Sequence, residues 1–347
     1  MNTKLRLRKK KGICLALGGG GARAMSDLGA LQVLEEEGFR IAGIAGTSMG
    51  ALIGALYAKY GNADKVINVL RGIDWQPAKY LLDFRWSASG VMSTHRLGKL
   101  FQILLEDAKF SDLAVPFAAV ASDLSTGETV VLREGDLATA VLASIAVPSL
   151  FQPIPYKNHL LVDGGLTEPI PAPTARQLGE QLRTWCVVAV DSTLEPRYAH
   201  TVSSAFPTRL VIPHRDPAND EQEPAARAVN RWLGAQQRKQ SDGKKTARHN
   251  RLWRLLFSTI RGGGAPSPFS VAIQTSIIRR RCFSEAVLRH ADVVVRCHAD
   301  HIGTMDFAHA GEAIQVGRHM TREILHEIDA FLRRLRRPRR KYTGLWT

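Results

Sequence analysis

Short apolar runs alternate with helix-like runs in the first part of the chain. Residues 12–17 carry no charge and predict a buried strand, after which apolar residues recur at helical spacing up to Gly38, a typical helix terminator. A second apolar run, residues 41–45, precedes another helix-like stretch at residues 51–59. This order of strand, helix, strand and helix is typical of a parallel sheet with covering helices.

Later apolar runs extend the same pattern. They predict strands at residues 117–121, 129–132, 160–162, 187–190 and 293–295. The sequence therefore predicts an α/β fold with a parallel-rich central sheet and helices on both faces.

Residues from about 196 to 266 interrupt this rhythm, because Pro, Gln, Arg and Lys dominate there. Within them, apolar residues line one face of a cationic helix, residues 248–260, which fits either a plain surface helix or an interfacial element. We therefore expect one domain over residues 12–332, with basic segments at both ends. Its parts are a core at 12–192, the basic insertion at 196–266 and a return to the core at 268–332, flanked by segments 1–11 and 333–347.

The positive charge changes the picture of the surface. The formal net charge is +15, from 47 Lys and Arg against 32 Asp and Glu. The cations cluster in residues 4–11, 227–261 and 333–341. Such clusters favour a polyanionic neighbour, either an anionic lipid surface or nucleic acid, although a single cluster is more often a solvated charge run. An anionic membrane surface is the expected partner, and nucleic acid is the less favoured one.

The four cysteines are scattered, which favours free thiols in a reducing compartment over a disulfide framework. The basic start of the chain imitates a signal peptide, but its apolar stretch, residues 13–17, is too short for one. Residues 41–58 lack charge and approach the length of a membrane span, yet their glycines and hydroxyl residues argue against insertion. We expect a cytoplasmic protein, peripheral on the inner membrane surface at most.

The pentapeptide Gly46-Thr47-Ser48-Met49-Gly50 lies between an apolar run and a helix-like stretch. This is the arrangement of a nucleophile elbow, a sharp strand-to-helix turn with the serine at its apex. Side chains at Gly46 or Gly50 would crowd the turn and obstruct a substrate carbonyl. A serine is a weak nucleophile at neutral pH, so the pattern also requires a base and an oxyanion site.

The glycines that follow the first strand, residues 18–21, present bare backbone amides at the start of a helix, and that geometry binds anions. A dinucleotide fingerprint is incomplete because Ala24 replaces its third glycine, and no P-loop ending follows. With a serine elbow one unit later, an oxyanion hole is the simplest interpretation.

Asp163 is the leading candidate for the base. It follows a predicted strand in Asp163-Gly164-Gly165, and functional groups gather at the carboxyl edge of parallel strands. By itself this tripeptide is most often a plain turn. A Ser–Asp–His triad with His298 or His301 is the alternative. Those histidines and Cys297 could imitate a metal cluster, but a fourth nearby ligand is missing, so no metal is expected.

Three motifs together resemble the bacterial patatin-like phospholipase family. They are Gly18 to Arg23, the pentapeptide around Ser48, and Asp163-Gly164-Gly165, with further matching stretches at residues 121–128 and 143–148. The likeness is continuous over about residues 12–192 and returns more weakly near residues 291–295. It implies a patatin-like three-layer architecture related to α/β-hydrolases.

The resemblance also implies chemistry. Ser48 would attack a lipid ester carbonyl and Asp163 would act as its base, in a dyad without histidine. The amides of Gly19, Gly20 and Gly21 would hold the oxyanion, and Arg23 would steady that loop or a lipid phosphate. The function implied is a serine lipid acyl hydrolase of phospholipase A or lysophospholipase type, which acts on phospholipid or lysophospholipid without a cofactor.

Two positions depart from the family pattern, which usually has glycine at position 24 and often histidine at position 27. Here they are Ala24 and Asp27. The methyl group of Ala24 could misplace an oxyanion amide, and losing one such donor typically costs about 10²–10³ in rate. The alternative functions are thus a catalytically weak lipid-binding scaffold and, less favoured, a nucleic-acid-associated basic protein.

Overall fold

An eight-stranded sheet forms the centre of the molecule. The computed structural model describes residues 12–74, 83–87, 90–193, 223–241, 268–304 and 306–336. A separate two-stranded sheet consists of β3 and β4. The strands are β1 (Gly12–Leu17), β2 (Arg40–Thr47), β3 (Asp83–Ser87), β4 (Gly90–Ser93), β5 (Phe117–Asp123), β6 (Thr129–Leu132), β7 (Ile154–Tyr156), β8 (His159–Asp163), β9 (Val187–Asp191) and β10 (Val293–Arg296). Every strand predicted from an apolar run is present.

Helices cover both faces of this sheet. They are α1 (Ser26–Glu36), α2 (Met49–Tyr60), α3 (Ala63–Arg71), α4 (His95–Leu104), α5 (Leu137–Ile145), α6 (Ala172–Gln181), α7 (Pro224–Ser241), α8 (Pro268–Leu288) and α9 (Ala310–Arg336). Helix α9 extends four residues into the segment predicted as a basic tail, so that segment begins in an ordered helix.

The strand order is β10-β9-β1-β2-β5-β8-β7, with β6 paired to β5. The pairs from β10 to β5 along this order are all parallel, whereas β6, β7 and β8 join by antiparallel pairing. The predicted parallel-rich sheet between helices is therefore confirmed. Because β10 pairs with β9, the chain returns to the same sheet after residue 268.

Strand β1 shows why the sheet is buried on both sides. Ile13, Leu15 and Leu17 point into one core, which includes residues of α1, α2 and α9. Cys14 and Ala16 point into a second core, which includes residues of α6 and α8. An apolar side chain at every position is what a central parallel strand requires.

Strand β8 differs from the prediction in its direction. It runs antiparallel to β5, so Asp163 does not lie at the carboxyl edge of a parallel strand, and that expectation is wrong. The register nevertheless brings it to the elbow. Thr47 pairs with Val120 and Asp163 pairs with the next residue, Ala121. Asp163 therefore lies one strand beyond β5, level with the end of β2.

Residues 41–58, considered above as a membrane span, form most of β2 and α2 instead. Within the described ranges, no helix combines the length and apolarity that crossing a bilayer requires. Cys14, Cys186 and Cys297 are buried free thiols, and Cys282 is an exposed one on α8. The predicted cationic helix at residues 248–260 and the basic segment 1–11 lie outside the described residues.

Candidate active site

Ser48 lies at the sharp turn between β2 and α2, as the elbow pattern predicts. Its φ of 56° and ψ of −124° place a non-glycine residue in a strained conformation. A Cβ atom at Gly46 would lie 2.5 Å from the Gly50 carbonyl oxygen, and one at Gly50 would overlap the Leu17 carbonyl. Both glycines are therefore needed for the close approach of β1, β2 and α2.

A hydrogen-bond chain holds the turn. The Ser48 amide donates to Ser144 Oγ at 2.9 Å, and that hydroxyl donates to the Val120 carbonyl at 2.6 Å. Thr47 Oγ1 donates to the Glu168 carbonyl at 2.8 Å. Ser144 belongs to the stretch at residues 143–148 that shares the family resemblance, although the sequence did not indicate this role. Such bonds offset the cost of the strained backbone.

The predicted nucleophile and base are in direct contact. Ser48 Oγ donates a hydrogen bond of 2.7 Å to Asp163 Oδ2, although the two residues lie 115 positions apart. Asp163 Oδ1 accepts the Gly165 amide at 2.7 Å. A Cβ atom at Gly164 would overlap the Val120 carbonyl, so this position needs glycine for close packing. The arrangement can transfer a proton from the serine hydroxyl to the carboxylate.

Arg280, on α8, is a member of the site that no sequence motif indicated. Its Nη2 atom donates to Asp163 Oδ1 at 3.0 Å. The Arg280 side chain is 20% exposed, whereas that of Asp163 is 1% exposed. The negative charge of the buried carboxylate is thus paired with a cation from a distant part of the chain.

The glycine loop packs directly against the serine. A Cβ atom at Gly19 would lie 2.9 Å from Ser48 Cβ. The Gly19 amide, however, donates to the Pro169 carbonyl at 3.0 Å and so fixes the loop. The amides of Gly20 and Gly21 make no hydrogen bond to a described residue, and Gly21 has a φ of 61°. Of the three predicted oxyanion donors, Gly20 and Gly21 therefore have amides with no hydrogen-bond acceptor among the described residues.

Arg23 supports this loop from within the protein. Its guanidinium donates to the Ile302 carbonyl at 2.9 Å, to the Ser192 carbonyl at 3.3 Å and to Thr304 Oγ1 at 3.4 Å. Burial, with a smaller contribution from nearby Arg280, lowers the pKa of Arg23 to about 10. Arg23 was predicted to steady either the glycine loop or a lipid phosphate, and these contacts within the protein suit the support of the loop.

The two positions that depart from the family pattern are both fully buried. Asp27 has no hydrogen-bond partner for either carboxylate oxygen among the described residues. Burial, together with the charge of Asp191, raises the pKa of Asp27 well above its usual range. The fold therefore favours the neutral form of Asp27, which lies at the start of α1, directly after the turn that contains Ala24.

Neither candidate histidine completes a triad. His301 Nε2 contacts Glu312 Oε1 at 2.6 Å, and His298 is exposed. In the described part of the chain, the recorded partners of Ser48 Oγ and the Asp163 carboxylate are each other, Gly165 and Arg280. Across all residues that the structure describes, no group of three or more His, Cys, Asp or Glu side chains could hold a metal ion.

Comparison with known proteins shows which proteins part of this chain is similar to. The model of the patatin-like phospholipase family matches residues 15–176. An uncharacterised NTE family protein of Mycobacterium bovis is 37% identical over 164 residues, which are 47% of this chain and 45% of that protein. Human patatin-like phospholipase domain-containing protein 6 is 32% identical over 186 residues, which are 52% of this chain and 13% of that protein.

These matches cover less than half of the length of those relatives. A solved structure of VipD from Legionella pneumophila is similar with a TM-score of 0.44 at 13% identity, over 93% of this chain and 67% of that one. The family match spans the glycine loop, the elbow and the Asp-Gly-Gly turn. Residues 15–176 therefore match a patatin-like phospholipase domain.

Proposed function

We propose that the chain is a serine-dependent lipid acyl hydrolase of phospholipase A or lysophospholipase type. The observation that carries the proposal is the 2.7 Å hydrogen bond from Ser48 Oγ to Asp163 Oδ2 at a strained elbow. The family match supports lipid esters as the substrate class. Neither the dyad nor the glycine loop needs a metal or an organic cofactor for this reaction.

In the acylation half of the reaction, Ser48 Oγ attacks the ester carbonyl carbon while its proton passes to Asp163 Oδ2. The amides of Gly20 and Gly21, with the positive amino-terminal end of α2, stabilise the oxyanion. The C–O bond to the alcohol then breaks, and Asp163 returns the proton to the leaving oxygen. The product is a lysolipid or glycerol-phosphate alcohol, and the acyl group remains on Ser48.

In deacylation, Asp163 accepts a proton from a water molecule, whose oxygen attacks the acyl carbon. Collapse of this second oxyanion breaks the bond to Ser48 Oγ, which takes back the proton from Asp163. A fatty acid is released and both residues return to their starting states. A single carboxylate can thus serve as base and then acid in each half of the cycle.

We also propose that the basic segments hold the protein against anionic headgroups. Each Lys or Arg near such a surface contributes about 1 kcal/mol at physiological salt. Segments 1–11, 242–261 and 337–347 lie outside the described part of the structure, so this proposal depends on their charge alone. Stable binding to anionic vesicles without turnover would favour the lipid-binding scaffold instead.

A fluorophosphonate probe tests the dyad. The probe should label the wild-type protein at Ser48, and Ser48→Ala should not be labelled. Asp163→Asn should lose turnover of a lysolipid and a soluble nitrophenyl ester by at least about 10³, because the amide cannot accept the proton. The folded state of each variant is checked by circular dichroism.

His298→Ala and His301→Ala are the matched controls for a histidine base. Both should retain turnover close to that of the wild type, because neither residue contacts Ser48 or Asp163. Loss of activity in either folded variant would show that the base assignment is wrong. A folded wild-type protein that ignores the probe would contradict the enzyme proposal itself.

A further inference from the structure

Two different donors hold the oxygen of Asp163 that Ser48 does not use. Oδ1 accepts Arg280 Nη2 at 3.0 Å and the Gly165 amide at 2.7 Å, whereas Oδ2 accepts the serine hydroxyl. The terminal torsion of an aspartate is intrinsically broad, so a carboxylate with one bonded oxygen can rotate. Two donors on Oδ1 keep the carboxylate plane in the orientation that directs Oδ2 at Ser48.

The surrounding glycines make room for the arginine. A Cβ atom at Gly165 would lie 2.5 Å from both Nε and Nη2 of Arg280, and a Cβ atom at Gly19 would lie 3.1 Å from Nη1. The guanidinium is therefore enclosed between the Asp-Gly-Gly turn and the glycine loop. It contacts both of the loops that the proposed reaction uses.

The charge of Arg280 also suits the path of the negative charge. Before proton transfer the charge is on Asp163, and after it the charge is on the oxyanion at the glycine loop. A cation between Asp163 and the glycine loop is close to the negative charge both before and after proton transfer. Because Asp163 is almost fully buried, losing its cation would leave a buried carboxylate uncompensated, unlike the loss of a surface ion pair.

We propose that Arg280 is a positioning residue of the acyl-transfer site, which orients Asp163 for proton transfer from Ser48. The inference rests on the proposed function, because the role matters only if the dyad is catalytic. It gives the basic helix α8 a part in the reaction, although α8 follows the region of the family match by more than 90 residues.

Arg280→Met tests the role because methionine keeps most of the side-chain length and removes the charge and donors. The matched control is Arg279→Met, the preceding residue, which is exposed and lies over the Phe283 ring at 5.5 Å without contact to Asp163. Turnover of a soluble nitrophenyl ester is expressed per serine titrated with the fluorophosphonate. That correction removes any loss caused by misfolded protein.

We expect Arg280→Met to lower kcat by about 10-fold to 100-fold, the size of effect that a small misplacement of a reacting group produces. KM should change little, because the charge of Arg280 adds no binding energy for an uncharged ester. Arg280→Lys should recover part of the loss, since an ammonium can restore one bond to Oδ1. Arg279→Met should match the wild type.

Rescue with guanidinium chloride at sub-denaturing concentration separates positioning from a merely structural role. Arg280→Ala leaves space for the ion, so added guanidinium should raise its kcat, whereas it should not raise that of Arg280→Met. Full activity in Arg280→Met, or an equal loss in Arg279→Met, would overturn the positioning role of Arg280 and leave the proposed function standing. Absence of labelling at Ser48 in the folded wild type would overturn the proposed function, and the role of Arg280 with it.

Discussion

Asp27 is a buried carboxyl group whose neutral form the fold favours. Burial raises its pKa well above the usual range, whereas the unfolded chain ionises it at about pH 4. Above that pH the folded state binds the extra proton, so stability falls as pH rises, until the folded-state pKa is passed. Asp27→Asn removes this titration. We expect the variant to gain stability relative to the wild type as the pH rises above about 4, by up to about 1.4 kcal/mol per pH unit until the folded-state pKa is reached.

Urea unfolding of both proteins at several pH values measures this difference. Glu37→Gln, at an exposed carboxyl just beyond α1, controls for the loss of a negative charge. Curves of stability against pH that run parallel for wild type and Asp27→Asn would contradict a raised pKa of Asp27 in the folded state.

At the same scale, the sequence predicted some site residues and could not predict others. Ser48, Asp163 and the glycines lie in local motifs whose geometry follows from a tight turn or a strand end. Arg280 has no motif around it, because its place depends on how α8 packs after the long basic insertion. The sequence also could not predict that the Gly19 amide donates a hydrogen bond within the protein, since its acceptor, the Pro169 carbonyl, is distant in the sequence.

Helices α1 and α9 cross so closely that two positions must be glycine. A Cβ atom at Gly29 would overlap the Ile314 carbonyl, and one at Gly317 would overlap the Ser26 carbonyl. Ser26 directly follows the turn that contains Arg23, so the crossing supports the glycine loop. We expect Gly317→Ala to destabilise the protein by about 1–3 kcal/mol, because backbone atoms must move apart.

Gly234→Ala on α7 is the control for this element, because a Cβ atom there meets open space. In a helix interior that change should stabilise by up to about 1 kcal/mol. Thermal unfolding of both variants gives the comparison. An unchanged melting temperature for Gly317→Ala would show that the crossing tolerates a methyl group.

The direction of β8 marks the limit of sequence-based prediction for elements. Its apolar run specifies a buried strand, but pairing direction depends on the connections and on the partner strand. β8 pairs antiparallel with both β7 and β5. Asp163 still reaches Ser48 because the register of β5 aligns the ends of its two neighbours. The convergence of the dyad is therefore a property of the sheet, beyond any single motif.

For the whole molecule, the excess of positive charge predicts how the protein meets its substrate. Residues 337–347 contain Arg337, Arg339, Arg340 and Lys341 and no acid. They follow α9, whose described part ends at Arg336, so removing them leaves the helix and the dyad intact. Four cations near an anionic surface contribute about 4 kcal/mol in total if all are engaged.

We expect deletion of residues 337–347 to weaken sedimentation with vesicles that contain anionic lipid, most strongly at low salt, because counter-ions screen such contacts. Binding to neutral vesicles should not change. Hydrolysis of a soluble nitrophenyl ester should also stay constant, since the deletion retains Ser48, Asp163, Arg280 and the glycine loop. Any loss of lysolipid turnover would then come from the surface step. If the truncated protein binds anionic vesicles as strongly as the full chain, the segment is not the anchor and the charge at residues 1–11 and 227–261 must supply the attraction. If soluble ester turnover falls as well, the segment contributes to the site rather than to the membrane contact.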